Sequence, residues 1–226
     1  MFSQIAPRYD LLNRILSLGV DQYWRKVALK LALEKRPARI LDLATGTGDL
    51  ALLLKRTRPD AEVVGADFAP PMLEIAKEKA KKAGLEARFI PADALNLPFA
   101  DSSFDAVTIA FGLRNFTNYP KALTELYRVI TPGGRLVILD FPPPPRGGLG
   151  AFYRFYFKRI LPWLGGIISR NPAAYRYLPS SVERFLTPGD LKGHMQEAGF
   201  SAEYRLLSGG IVSLHQGDKP AKIAGR

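Results

Sequence analysis

Between Arg39 and Leu50 an apolar run, Ile40-Leu-Asp-Leu-Ala44, breaks into Thr45-Gly-Thr-Gly-Asp49 and resumes as Leu50-Ala-Leu-Leu-Leu-Lys55. The first segment reads as a short buried strand and the last as the start of a helix. Thr45 to Asp49 is then a strand-to-helix turn at the carboxyl edge of a sheet. Gly46 and Gly48 lack a side chain where a ligand must approach the backbone, and they adopt positive φ without penalty. A chain with this turn is constrained to an α/β architecture with a binding loop at the end of its first strand.

The loop by itself fits two patterns. Gly46-Thr-Gly48-Asp-Leu-Ala51 matches a dinucleotide fingerprint with Ala in its last place, and Asp67 stands where an acid would hold a ribose. It equally matches an acid, Asp42, ahead of a Gly-x-Gly turn, as in methyltransferases that use S-adenosylmethionine. A purely structural turn is the third reading.

The following residues repeat the pattern. Ala61–Asp67 reads as a second strand ending in an acid, Pro70–Ala83 as a helix closed by Gly84, and Ala87–Asp93 as a third strand, again ending in an acid. Phe104–Phe111 reads as a fourth strand running into Gly112-Leu-Arg114-Asn115. Tyr119–Ile130 follows as a helix, Pro132-Gly-Gly134 as a turn and Arg135–Asp140 as a fifth strand. Alternation at this spacing predicts βαβ units, a parallel sheet covered on both faces and a doubly wound, Rossmann-like α/β fold. A helix from Thr187 to Ala198 and a hairpin of 202–207 and 210–215 around Ser208-Gly-Gly210 make the predicted seven-stranded sheet mixed, with an antiparallel strand at its carboxyl end. That ending is usual in S-adenosylmethionine methyltransferases and unusual in dinucleotide dehydrogenases. Asp67 and Asp93, at successive strand ends beside the loop, suit an adenosine: Asp67 to accept both ribose hydroxyls, Asp93 with the Ala94 backbone to meet the adenine edge. Each also reads as a cap of the segment after it.

Length and composition bound the rest. The 226 residues predict one domain, with a helical cap over about 1–36 broken at Gly19 and an insertion over about 142–180. No apolar segment of membrane-spanning length and no signal-peptide pattern occurs, so a soluble, cytoplasmic protein is expected. With no cysteine and two widely separated histidines, no metal is expected. The net charge of +11 is uneven, since residues 146–226 hold 12 Lys and Arg against 5 Asp and Glu. From Arg146 to Arg184, seven basic residues and the single acid Glu183 are interleaved with aromatics. That stretch reads as a lid over an apolar substrate or a surface for an anionic membrane rather than as a nucleic-acid platform.

With these pieces assembled, the chain resembles the ubiquinone/menaquinone biosynthesis C-methyltransferase family from about Phe2 to Lys219. The likeness is carried by Tyr9-Asp10-x-x-Asn13 with Ser17-x-Gly19 and Trp24-Arg25, by Asp42-Leu-Ala-Thr-Gly-Thr-Gly-Asp49, by Phe111-Gly-Leu-Arg-Asn115, and by Arg128-Val129 with Pro132-Gly-Gly134. Tyr175-x-Tyr177-Leu-Pro179 and Gly209-Gly-Ile-Val-x-Leu-His215 agree as well. The resemblance implies transfer of a methyl group from S-adenosylmethionine to a ring carbon of a polyprenylated quinol, demethylmenaquinol ahead of a ubiquinol precursor. A small-molecule or RNA methyltransferase of the same fold and a non-catalytic binding module retaining the fold are the other readings. The cofactor residues are then expected to be Asp42, Thr45, Gly46, Thr47, Gly48, Asp67, Asp93 and Ala94. For the chemistry, Arg114 is expected to stabilise a phenolate or orient a water, Asn115 to fix the second ring oxygen, and Asp21 or Asp140 to serve as base. The chain departs from the family's pattern at Asp21 (usually His), Leu12 (commonly Met), Asp140 (commonly Glu) and Pro142 (commonly Ser).

Overall fold

The computed structural model describes residues 14, 17, 19–144 and 180–221. Helix α1 (Val20–Leu33) leads into β1 (Arg39–Leu43), α2 (Asp49–Thr57), β2 (Glu62–Asp67), α3 (Pro70–Ala83), β3 (Arg88–Pro91), β4 (Phe104–Ala110), α4 (Tyr119–Val129) and β5 (Ile130–Asp140). Then come α5 (Pro188–Glu197), β6 (Ser201–Leu207) and β7 (Val212–Asp218). The seven strands form one sheet in the order β3-β2-β1-β4-β5-β7-β6. The first five are mutually parallel, and β7 runs antiparallel to both β5 and β6. The doubly wound, mixed sheet expected from the sequence is therefore present.

Strand residues point alternately to the two faces, so adjacent residues of β5 enter different cores. Leu136 and Ile138 pack with Leu123 and Leu126 of α4 and Leu191 and Met195 of α5. Val137 and Leu139 pack on the opposite face with Trp24 and Ala28 of α1, Leu50 and Leu54 of α2 and Leu73 and Ala76 of α3. Burial on both faces is why β4 and β5 read as nearly unbroken apolar runs.

Local chemistry sets the helix limits. Helix α3 has Pro70 in its first turn and ends at Gly84, whose φ of 63° lets its N–H reach back to carbonyls of the last turn. The Asn118 side chain accepts from the Lys121 N–H to start α4, and Thr187 accepts from the Asp190 N–H to start α5. The third strand ends at Pro91, two residues before Asp93, the last runs from Val212 to Asp218, and the largest difference from expectation is in β5. The segment Pro132–Gly134, expected as a turn ahead of the fifth strand, lies inside β5, because Ile130 already pairs with Phe104 before a register shift. Gly133 N–H and Gly134 C=O are then taken up by the backbone of Lys219 at 2.9 Å each.

After β3 the chain crosses back over β1 to lay β4 on its other side. Connections thus diverge between β1 and β4, and the crevice above their carboxyl ends is where an open α/β sheet takes its ligand. No described helix is long and apolar enough to cross a membrane. Residues 146–179 of the basic segment, with Tyr175, Tyr177 and Pro179, like Tyr9, Asp10, Leu12 and Asn13, lie outside the described residues.

Candidate active site

The turn after β1 is built on left-handed backbone. Ala44, Gly46 and Gly48 have φ of 54°, 56° and 82°. The two glycines differ in surroundings: a Cβ on Gly48 would lie 2.9 Å from the Ala76 Cβ, whereas one on Gly46 would meet nothing within 4 Å. Gly48 is a packing glycine against α3, and Gly46 borders open space. The turn is tied to β2, with Thr45 N–H donating to the Ala66 carbonyl at 3.1 Å and Gly46 N–H to Asp67 Oδ2 at 2.8 Å.

Asp42 sits beneath this turn and is 1% exposed. Thr108 donates to its Oδ1 and Thr45 to its Oδ2, both at 2.6 Å. Burial pushes its carboxyl up to about 6, although both hydroxyls and the Arg25 cation favour the charged form. Asp42 therefore organises the loop from below and does not line the cleft.

The cleft has a volume of about 440 Å³, and its walls come from the ends of β1 to β4. Of the cofactor residues expected from sequence, Thr45, Gly46, Thr47, Asp67, Asp93 and Ala94 line it, while Asp42 and Gly48 stand behind it. Asp67 Oδ1 accepts from Ala69 N–H at 2.9 Å, so each of its oxygens holds one backbone donor and keeps accepting capacity. The capping role and the binding role are compatible in one carboxylate. Burial raises the Asp67 pKa, against the backbone donors that lower it. Asp93 is exposed and accepts from Leu95 N–H at 2.9 Å.

At the β4 end the walls are Phe111, Gly112, Asn115, Phe116 and Thr117. Phe111 has φ of 61°, and its N–H donates to the Leu139 carbonyl at 2.7 Å, which turns the chain sharply off the strand. A Cβ on Gly112 would lie 2.4 Å from the Ala44 Cβ, so only glycine lets the β1 and β4 turns come this close. Asn115 therefore reaches the cleft, as expected.

Three of the four residues expected to do chemistry are not at its wall. Arg114 donates to Asp140 Oδ1 at 2.7 Å and to the Phe111 carbonyl, with side-chain exposures of 6% for Arg114 and 0% for Asp140. Asp140 also accepts from the backbone N–H groups of Arg114 and Phe141 at 3.2 and 2.9 Å. Its two oxygens thus hold the turn that carries Asn115. Arg114 and Asp140 thus form a buried ion pair beneath the cleft, where β4 and β5 end side by side. Asp21 is likewise buried, accepts from Ser17 Oγ at 2.8 Å and does not line the cleft.

The sequence reading gave no role to Arg25 or Phe68, both of which line the cleft; Phe68 is 80% exposed. A phenylalanine directly after the strand-ending Asp67, at a position the sheet cannot cover, was the available signal for the latter. Arg25 was visible only as half of the Trp24-Arg25 pair.

Comparison with known proteins agrees with this geometry. The chain is 67% identical to the demethylmenaquinone methyltransferase of Thermus thermophilus, over 97% of this chain and the whole of that protein. It is 54% identical to the demethylmenaquinone methyltransferase of Deinococcus radiodurans, over 97% and 91% of the two chains. A crystal structure of a SAM-dependent methyltransferase from Thermotoga maritima, described as a possible histamine N-methyltransferase, superposes with a TM-score of 0.65 at 20% identity, covering 96% of this chain and 97% of that one; at that identity the likeness concerns the fold. The model of the ubiE/COQ5 methyltransferase family matches residues 1–219, and the chain belongs to that family.

Proposed function

We propose that this chain methylates a ring carbon of demethylmenaquinol with S-adenosylmethionine as methyl donor. The observation that carries the reading is a single cleft with two acids at its β2 and β3 end and an aromatic wall with one amide at its β4 end. The residues fit the cofactor. Gly46 leaves open the space a side chain would fill, Asp67 retains accepting capacity for ribose hydroxyls, and Asp93 with Ala94 offers polar groups for an adenine edge. When bound, the cofactor supplies an electrophilic methyl group on a positively charged sulfur.

Such a displacement needs no acid for its leaving group, so the demand falls on the ring carbon and on alignment. Alignment contributes roughly 7–11 kcal/mol in well-oriented cases. A reduced ring meets the first demand when one hydroxyl loses its proton and the oxygen pushes charge onto the adjacent carbon. That carbon forms the new C–C bond and then gives up its own proton. Asn115 is assigned to fix a ring oxygen, while Phe111 and Phe116 bound the space for a flat apolar ring. Arg114 and Asp140 act through the turn they hold.

The basic and aromatic stretch from 146 to 184 is proposed to bring the enzyme to an anionic membrane surface on the cytoplasmic side, where a prenylated substrate resides. Each cation held near such a surface adds about 1 kcal/mol. Flotation with vesicles of rising anionic content should recover rising amounts of protein; equal recovery on neutral vesicles would remove the role given to the cations, and recovery on neither would remove the membrane reading. The function itself is tested by offering the protein labelled S-adenosylmethionine with reduced demethylmenaquinone, a reduced ubiquinone precursor or bulk RNA. Label should enter the demethylmenaquinol ring, with the oxidised quinone inert. Label in RNA, or efficient methylation of the oxidised ring, would overturn the assignment.

A further inference from the structure

Arg25 is the only cation among the described residues that line the cleft. Its guanidinium carbon lies 5.3 Å from the centroid of the Phe111 ring, and its Nε is 3.7 Å from Asp21 Oδ2, too far for a hydrogen bond. That Nε is buried and has no hydrogen-bond partner, and the side chain is 12% exposed. Buried guanidinium donors ordinarily find acceptors, since leaving one unmade forfeits its hydration without return. Here packing holds the side chain where it is. Trp24, next to it on α1, donates from Nε1 to Ser208 Oγ at 2.9 Å and contacts the rings of Phe111 and Phe141.

The strand order tells which part of a ligand meets this cation. Asp93 and Asp67 stand at the ends of β3 and β2, whereas Arg25 lies over Phe111, which follows β4 on the far side of β1. Neighbouring strands are roughly 4.8 Å apart, so about 10 Å separates the ends of β2 and β4. A ligand whose adenosine is held at β2 and β3 extends its amino-acid end over β1 toward Arg25. The field of Arg25 already reaches Asp42 at the end of β1. Of the three charges on that part of S-adenosylmethionine, a cation repels the ammonium and the sulfonium and attracts only the carboxylate. We propose that Arg25 binds the α-carboxylate of the cofactor's amino-acid end. This assignment rests on the cofactor reading given under the proposed function.

Calorimetric titration separates the possibilities with three ligands: S-adenosylhomocysteine, its decarboxylated analogue, and 5′-methylthioadenosine, which lacks the amino-acid end altogether. Arg25→Gln should weaken S-adenosylhomocysteine by roughly ten- to hundredfold, as expected for a charged hydrogen bond. It should leave 5′-methylthioadenosine unchanged, and Arg25→Lys should recover part of the loss. If Arg25→Gln does not melt cooperatively, the wild-type protein still tests the proposal, because decarboxylation alone should then cost a comparable factor. Unchanged S-adenosylhomocysteine affinity in a folded Arg25→Gln with turnover lost would move the cation to a substrate oxygen and overturn the proposal. Equal losses for all three ligands would overturn it in favour of a general packing role. Failure of the wild-type protein to bind S-adenosylhomocysteine would overturn the cofactor reading itself, and this assignment with it.

Discussion

The carboxylate of Asp42 should cost stability at neutral pH, and replacing it should reveal how much. Two hydroxyls at 2.6 Å and the Arg25 cation favour its charged form, yet burial outweighs them and lifts the pKa from 3.8 to about 6. In the unfolded chain it titrates near its ordinary value. A group whose folded pKa is raised gives stability that is complete below the unfolded pKa and is lost as pH climbs through the folded one. The window is therefore pH 3.8 to about 6. At about 1.4 kcal/mol for each pKa unit, the loss across that window is on the order of 3 kcal/mol. Asp42→Asn keeps the shape and carries no charge at any pH, and the Thr45 and Thr108 hydroxyls can rotate to suit an amide. Urea unfolding of both proteins between pH 4 and 8 isolates the contribution, because every other titrating group cancels in the difference. The stability of Asp42→Asn minus that of wild type should rise by about 2–3 kcal/mol from pH 4 to 7 and then level off. Parallel curves would refute the argument, since they would mean that Asp42 titrates alike in the folded and unfolded chain.

Other substitutions separate binding from folding. Asp67→Ala removes a ribose acceptor and the partner of the Gly46 N–H, and should weaken S-adenosylhomocysteine by about 1–3 kcal/mol in calorimetry while NADH remains unbound by either protein. Arg114→Ala leaves the Asp140 carboxylate buried without its cation and should lower stability by about 3–5 kcal/mol in denaturant unfolding; a loss below about 1 kcal/mol would mean the pair does not hold the turn. Gly48→Ala, at φ of 82° with its Cβ 2.9 Å from Ala76, should lower the melting temperature clearly. Gly46→Ala shares the positive-φ strain but meets no neighbour, so it should lower the melting temperature less than Gly48→Ala and weaken cofactor binding more, and the opposite order would reverse the roles given to the two glycines.

What the sequence determined is local. Apolar runs of strand length, the Gly-x-Gly turn, Pro70 and Gly84 around α3 and the Ser208–Gly210 hairpin each depend on conformational preferences within a few residues. The order of strands and helices followed from them, and so did the acids at the ends of β2 and β3. Asp67, Asp93 and Asn115 reached the cleft because a residue at a strand end, or in the turn after it, has its height in the sheet fixed by chain position alone. The pairing of Arg114 with Asp140 and the entry of Arg25 into the cleft were not legible in this way. Arg114 is paired with Asp140, 26 residues away, only because β4 and β5 run side by side with Ala110 opposite Leu139. Arg25 enters the cleft because α1 lies across β4 and β5 and is pinned by Trp24 to Ser208, 184 residues along the chain. Periodicity identifies which face of an element is buried. It does not identify which polar groups meet there, because those meetings are set by which elements the topology lays side by side.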